Sequence, residues 1–303
     1  MTPAITRRPP HRTAGFTLVE AIIAIVITGI LAGIVTVFIS KPIQGYLDSV
    51  RRAELTDQAD VALRRMTRDI RLALPNSLRV TTAAGWTYVE FIMTSAGGRY
   101  RFEDDGSTGG NFLSYTTGAD TTFEVLGPMP ASPSVAAGDF IVIYNLGPGN
   151  APANAYDCTA TPPGCNRALV AVNPLGNVIT LTANPFAAQT PPLPSPDARF
   201  QVVPGGTQAV TYACPAVGNP PNDLRRYWNY GFTPTQAPLP PASPPASLAI
   251  LAGGATCTVE YAANASGRNG LLLINLTLTQ VDAATGIGES VNLSQQIRID
   301  NAP

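Results

Sequence analysis

The sequence predicts an α+β fold in which one long N-terminal helix packs on an antiparallel β-sheet head. Two observations predict the helix: an uncharged apolar stretch, Ala21–Ile39, is followed by apolar residues at helical spacing as far as Ala73. A third predicts the sheet, since from Trp86 onward short runs of β-branched and aromatic residues alternate with Gly, Pro and Asn. Helix first and strands afterwards is the order typical of α+β proteins.

The apolar stretch is long enough to cross a bilayer. As a helix, Ala21–Ile39 spans about 28 Å, close to the hydrocarbon thickness of about 30 Å. It is longer than the apolar core of a secretory signal peptide, which is about 7–15 residues. Basic residues precede it, which predicts that the N-terminus stays cytoplasmic and the rest faces outward: Arg7, Arg8, His11 and Arg12. A plain signal anchor is the simplest interpretation.

One carboxylate, Glu20, lies at the beginning of this apolar segment, where an ionised side chain is unfavourable in lipid and needs a partner. No basic residue lies within a helical turn of it in the uncut chain. Cleavage between Gly15 and Phe16 would create an α-ammonium group on Phe16. That group could pair with Glu20 of the same helix or of a neighbouring subunit.

The stretch GFTLVE (Gly15–Glu20), with a basic leader before it and an apolar helix after it, resembles the processing motif of type IV prepilins. The resemblance implies that a prepilin peptidase cuts between Gly15 and Phe16, that Phe16 becomes N-methylated, and that Glu20 sets subunit register during assembly. It also implies a leader at 1–15, a pilin helix at 16–74 with its transmembrane part at about 16–39, and a β-rich head at 75–303.

A second resemblance narrows the family. Phe38–Val80 is similar to the MshO group of minor pilins of the mannose-sensitive haemagglutinin (MSHA) type pilus, with type II secretion pseudopilin J as a near relative. This implies a subunit that enters or primes a filament. Its implied partners are prepilin peptidase, other major and minor pilins and the inner-membrane assembly platform. The implied location is the bacterial inner membrane, single-pass with a periplasmic head, and then the pilus at the cell surface.

Other functions stay open: a type II secretion pseudopilin, a pilus-associated adhesin, or a membrane-anchored enzyme. The one histidine, His11, precedes the apolar stretch, so the rest of the chain has no imidazole for a catalytic triad or a zinc site. Carboxylate chemistry needs no histidine, but no acidic pair is conspicuous. Acidic residues number 20 and basic residues 19, which does not indicate nucleic-acid binding. The sequence predicts a structural protein with no catalytic residues, metal or cofactor.

Beyond the apolar stretch the predicted helix becomes amphipathic. Apolar residues at spacings of three and four predict the face that packs on the head: Leu55, Ala59, Ala62, Met66, Ile70 and Ala73. We expect the opposite face to be solvated or to bridge subunits; it carries Asp48, Arg51, Arg52, Glu54, Asp57, Asp60, Arg64, Arg65, Arg68, Asp69 and Arg71. Pro42 predicts a kink or a new helix start, and Pro75 with Asn76 predicts the helix end.

Candidate strands occupy most of the head, and the last two, which enclose DAATGIGE, predict a closing hairpin. The candidates are Tyr88–Met93, Arg99–Glu103, Phe140–Asn145, Ala168–Val172, Val178–Thr182, Phe200–Val203, Ala209–Cys214, Thr256–Ala262, Leu271–Val281 and Ser290–Ile299.

The four cysteines predict two disulfides, because an even number in an exported chain is typical of bridges. A four-thiolate zinc site and buried free thiols are the alternatives. Of the three possible connectivities, sequence position favours Cys158–Cys165, within one loop, and Cys214–Cys257, between two predicted strands.

Two kinds of loop leave alternatives open. The stretch Glu103–Asn111 (EDDGSTGGN) combines carboxylates with glycines, so it is interpreted as a hairpin tip, with calcium binding as the alternative. The proline-rich stretches Thr190–Pro196 and Thr233–Pro245 are interpreted as surface loops, with a polyproline ligand as the alternative.

Overall fold

A computed structural model describes residues 15–104, 106, 111–159, 164–220, 222–236, 246–266, 268–281, 286 and 288–303. Four predicted features lie wholly or partly outside these residues: the basic leader, the centre of the loop at 103–111, the proline-rich residues 237–245 and the turn of the last hairpin. The chain divides into two compact units, Met1–Arg51 and Arg52–Pro303.

One α-helix, α1 (Leu18–Arg71), contains both predicted helical segments. Its backbone stays helical through residue 42, so the predicted new start at that proline is wrong, and a bend there stays a prediction. The helix ends before Pro75, because a residue preceding proline disfavours helical backbone. Accordingly, the N–H of Leu74 donates to the Ile92 carbonyl at 2.8 Å.

The larger sheet has seven antiparallel strands in the order β1-β2-β9-β10-β11-β12-β13. Its strands are β1 (Arg79–Ala83), β2 (Trp86–Ile92), β9 (Ala209–Pro215), β10 (Asn222–Trp228), β11 (Ser247–Ser266), β12 (Asn269–Val281) and β13 (Gly288–Asp300). The predicted closing hairpin is confirmed, since β12 and β13 pair from Asn269 with Asp300 to Val281 with Gly288.

The C-terminal part of α1 packs on this sheet through the predicted apolar face. Every residue of that face is buried: Leu55, Ala59, Ala62, Met66, Ile70 and Ala73. They join one core with buried side chains of the sheet, among them Phe91, Val210, Leu272, Ile274, Leu276 and Leu278. The α+β prediction of a long helix on an antiparallel sheet is therefore confirmed.

The smaller sheet has six strands in the order β6-β5-β8-β3-β4-β7. They are β3 (Ala96–Tyr100), β4 (Thr122–Leu126), β5 (Phe140–Val142), β6 (Arg167–Leu169), β7 (Val178–Thr180) and β8 (Arg199–Val203). A bridge between Val170 and Leu181 joins the first strand of this order to the last. Main-chain hydrogen bonds of 2.8 Å flank the bridge, so the sheet closes into a small barrel.

The barrel encloses its own core of buried rings and aliphatic chains, including Tyr100, Phe123, Ile141, Phe186 and Phe200. Gly98 of β3 makes room for that core. A Cβ added at Gly98 would lie 2.7 Å from the Phe200 ring. Glycine is unfavourable in strands unless a close approach requires it, which is the case here.

Candidate functional site

Thr17 caps the beginning of α1. Its hydroxyl accepts a hydrogen bond from the Glu20 N–H at 3.2 Å, and its carbonyl accepts the first helical bond, from Ala21, at 3.1 Å. Gly15 and Phe16 precede the helix, and the Phe16 side chain is 73% exposed. The Gly15–Phe16 peptide bond therefore lies in exposed, non-helical backbone next to a fixed helix start.

This cap was not predicted from the sequence, although the sequence contains a local signature for it. Thr17 and Glu20 form the T-x-x-E pattern of a capping box, in which the side chain of the first residue accepts from the backbone N–H of the fourth. A carboxylate in the first turn also favours the helix dipole. Glu20 thus has a reason to occupy this position that lies within its own helical turn.

The helix from Leu18 to Thr36 exposes apolar side chains all round. Its mean hydropathy is 2.6, no part of it is buried, and it is long and apolar enough to cross a membrane. Ile25 and Ile30, on different sides, are 72% and 58% exposed. A helix that is apolar on every face is typical of a membrane span or of a bundle core. Its environment must therefore be lipid or other helices.

Glu20 is the one carboxylate of this exposed segment, Leu18–Thr36. Its backbone N–H is bonded to the Thr17 hydroxyl, and within the described residues no side-chain hydrogen bond or ion pair engages its carboxylate. The residues predicted for processing and assembly, Gly15, Phe16 and Glu20, thus lie within six consecutive residues, the first two just before the helix and the third in its first turn.

The four cysteines form two bridges in the structure. Cys158 is bonded to Cys165, with 4.9 Å between the Cα atoms, and Cys214 to Cys257, with 5.9 Å. The second bridge joins β9 to β11 next to the direct pairing of Ala216 with Cys257, and both cysteines belong to the core beneath α1. It therefore fixes the sheet on which the helix packs.

A buried ion pair attaches α1 to that sheet, and it corrects the sequence prediction. Asp69 was expected on the solvated face, but it is only 4% exposed. Its Oδ2 accepts hydrogen bonds from Arg226 Nε on β10 and from the Tyr212 hydroxyl on β9, both at 2.8 Å. Burial and the Asp69 carboxylate together raise the pKa of Tyr212 above its ordinary value, so the phenol stays a donor.

Comparison with known proteins identifies the N-terminal segment. Residues 10–36 match the prokaryotic N-terminal methylation motif. The chain carries a type IV pilin-like signal. The match supports a type IV pilin or pseudopilin and indicates a structural subunit rather than an enzyme. No curated protein and no solved structure matches the chain.

Proposed function

We propose that this chain is a minor pilin of an MSHA-type type IV pilus, processed by a prepilin peptidase and then incorporated into the filament or used to prime it. The observation that carries the proposal is the coincidence of two features. The methylation motif spans residues 10–36, and its described part, residues 15–36, contains the capped beginning of a helix that exposes apolar side chains on every face. Together they support a segment that is cut, held in lipid and then packed among like helices.

The proposal divides the chain as the motif requires. Residues 1–15 form the leader, 16–74 the pilin helix with its membrane span at about 16–39, and 75–303 the head. The chain is inserted in the inner membrane with the head in the periplasm, and it then moves to the filament at the cell surface. Arg7, Arg8 and Arg12 support this orientation, because basic flanks stay on the cytoplasmic side.

The pairing of Glu20 with the new N-terminus sets the axial register between the helices of neighbouring subunits. An unpaired carboxylate and an unpaired ammonium group are both costly in a medium of low dielectric. Pairing Glu20 with the Phe16 ammonium of a neighbouring subunit relieves both costs at one axial offset between helices. The Thr17 cap supports this step, because it fixes the helical turn on which Glu20 lies.

The MSHA assignment rests on the likeness of Phe38–Val80 to MshO-type minor pilins. A type II secretion pseudopilin of the J type is the alternative that the same N-terminal motif supports equally. A pilus-associated adhesin is a further alternative, in which the head binds a ligand after the same processing. All three use prepilin peptidase, other pilins and an inner-membrane assembly platform as partners.

Intact-mass analysis of the membrane form tests the processing step. We expect a chain that begins at N-methylated Phe16. Gly15→Ala should be cut in part, whereas Gly15→Phe should remain uncut, because a bulky residue replaces the small one before the cleaved bond. A wild-type chain that begins at Met1, or after Ala32, contradicts the proposal.

Sheared filaments test assembly. We expect the amount of co-purifying protein, normalised to its membrane level, to fall from wild type to Glu20→Gln to Glu20→Val, while cutting is unchanged. The same assay in strains that lack either the pilus motor ATPase or the secretion ATPase distinguishes an MSHA-type pilin from a pseudopilin. Equal incorporation of all three proteins would remove any assembly role from Glu20.

A further inference from the structure

The two sheets differ in whether they have an open edge strand. The barrel closes on itself through the bridge between Val170 and Leu181. In the larger sheet the edge strand β1 has five residues, and a loop adjoins it: Arg79 Nη2 donates to the Thr233 carbonyl at 2.8 Å and Thr81 Oγ1 donates to Gln236 at 2.7 Å. Among the described strands, this leaves β13 as the long open edge.

Strand β13 lacks the devices that usually protect an edge. It has 13 residues, pairs with β12 without a bulge, and contains no proline or lysine. Its charged residues lie near its two ends, at Glu289, Arg298 and Asp300. No residue from Gly288 to Gln296 is fully buried. A long, regular edge of this kind exposes unpaired backbone groups and is a template for another strand.

A basic groove lies beside this edge. It is lined on α1 by Arg64, Thr67, Arg68, Arg71 and Leu72 and on β13 by Gln295, with no carboxylate in the lining. The side chains of Arg64 and Arg68 are 79% and 73% exposed. Asp60 lies 2.7 Å from Arg64 and Asp69 Oδ1 lies 3.9 Å from Arg68, whereas Arg71 forms no ion pair within the described part of the chain. The groove therefore carries an excess of positive charge.

The helix α1, from Arg52 onward, and the edge strand β13 run side by side in the same direction. Arg52 Nη2 lies 2.5 Å from Glu289 Oε1 near the beginning of β13, and the arginine groove reaches Gln295 further along. From Arg52 to Arg64 the helix rises about 18 Å, and from Glu289 to Gln295 the strand advances about 20 Å. A strand added to β13 would thus direct alternate side chains toward the three arginines.

We infer that β13 and the arginine groove form a docking site for an extended acidic segment of a partner protein. The partner backbone pairs with the open edge of β13, and its carboxylates on the helix side pair with Arg64, Arg68 and Arg71. A second copy of this chain does not offer such a strand through β1, whose sequence RVTTA has no carboxylate. The inference extends the proposed function but does not depend on processing or on filament entry.

Binding of labelled peptides to the full chain in detergent micelles tests the inference by fluorescence anisotropy. The probe is the extended peptide TVEVEVT, compared with its glutamine analogue TVQVQVT and its lysine analogue TVKVKVT. We expect saturable binding of the glutamate peptide, binding about tenfold weaker for the glutamine peptide, and none for the lysine peptide. Affinity for the glutamate peptide should fall as salt is added.

Backbone pairing is tested with N-methylated probes, which keep the side chains and remove hydrogen-bond donors. Successive N–H groups of a strand point to opposite sides, so methylation of one alternate set should abolish binding and methylation of the other should be tolerated. Tolerance of both sets would overturn the inference, and so would equal affinity for the glutamate and glutamine peptides.

The contribution of the protein is tested with a triple variant, Arg64→Gln with Arg68→Gln and Arg71→Gln. The three arginine side chains are exposed, so their replacement should leave the melting temperature unchanged. We expect affinity for the glutamate peptide to fall about tenfold. The control Arg199→Gln, an exposed arginine on the barrel paired with Asp197 at 3.6 Å, should bind normally. Unchanged binding by the triple variant overturns the inference and leaves the proposed function intact, because neither cleavage nor filament entry is measured.

Discussion

The two halves of α1 share one secondary structure and have opposite surroundings. From Leu18 to Thr36 every face is apolar and none of the segment is buried. From Arg52 to Arg71 one face is buried against the seven-stranded sheet and the other is charged. The sheet supplies the second half with its environment, whereas the first half must receive its own from outside the chain.

An ion pair of the stretch between the halves differs in the same way from one of the second half. Asp48 and Arg51 approach to 3.7 Å with side chains 62% and 35% exposed. Asp69 and Arg226 approach to 2.8 Å with side chains 6% and 8% exposed. An exposed pair contributes little to stability, while breaking a buried pair leaves an uncompensated charge in the interior. The comparison therefore predicts unequal effects of matched substitutions.

The largest effect is expected at Asp69. Asp69→Ala leaves Arg226 buried without its carboxylate and should lower the free energy of unfolding of the head by about 3–5 kcal/mol. Asp48→Ala should change it by less than about 0.5 kcal/mol. Urea unfolding followed by tryptophan fluorescence measures both. The double variant Asp69→Leu with Arg226→Met should recover most of the loss; equal effects of the two single variants would contradict the comparison.

The second-largest effect is expected from loss of the bridge between Cys214 and Cys257. Replacing both cysteines by alanine should lower stability by about 4 kcal/mol on the chain-entropy account of a loop of about 44 residues, and often by less in practice. The loss weakens the sheet that holds the second half of α1, so membrane insertion of the first half should be unchanged. Peptide mapping without reduction checks the pairing itself, and a peptide joining Cys165 to Cys214 would exclude it.

A smaller effect is expected from truncating one isoleucine in each half. Ile70 is fully buried, and Ile70→Ala should destabilise the head by about 2–5 kcal/mol through lost burial and a cavity. Ile27 is 51% exposed, and Ile27→Ala should leave head unfolding unchanged. Thermal unfolding in the same detergent compares them. A similar decrease for Ile27→Ala would mean that the first half also packs on the head.

The smallest effect is expected at the helix start. Thr17→Val removes the acceptor of the Glu20 N–H and should weaken the first turn by about 1 kcal/mol. Thr56 is the matched control, because its hydroxyl donates to the Arg52 carbonyl inside the helix at 2.7 Å and satisfies no free donor. Hydrogen exchange should therefore accelerate at residues 19–21 in Thr17→Val and stay unchanged around residue 56 in Thr56→Val.

Local periodicity was sufficient to predict the helix and its buried face. The apolar stretch and the spacing of Leu55, Met66 and Ile70 are both short-range signals. Both signals gave a correct prediction, because helix geometry alone decides which side chains share a face. The Thr17 cap was equally local and could have been predicted from its T-x-x-E pattern.

Long-range partners explain what the sequence did not predict. In the sequence, Asp69 is one of many charged residues of the helix. Its partner Arg226 lies on β10, far along the chain, and only the folded sheet brings the two together. Strands β1, β4 and β10 were not predicted, β10 because it carries charges. Strand β3 was predicted three residues late, because its glycines disfavour a strand until the Phe200 ring packs on Gly98. Closure of the barrel depends on one pairing, Val170 with Leu181, that has no local signature.

The bond between Cys214 and Cys257 also changes what a break in the chain would do. Every peptide bond between these two residues, including those of the proline-rich stretch, lies inside one covalent ring. A protease that cut there once would leave both fragments attached to each other, with β9 and β11 still in one sheet. The head could thus be nicked once without releasing a fragment until a reductant opened the ring.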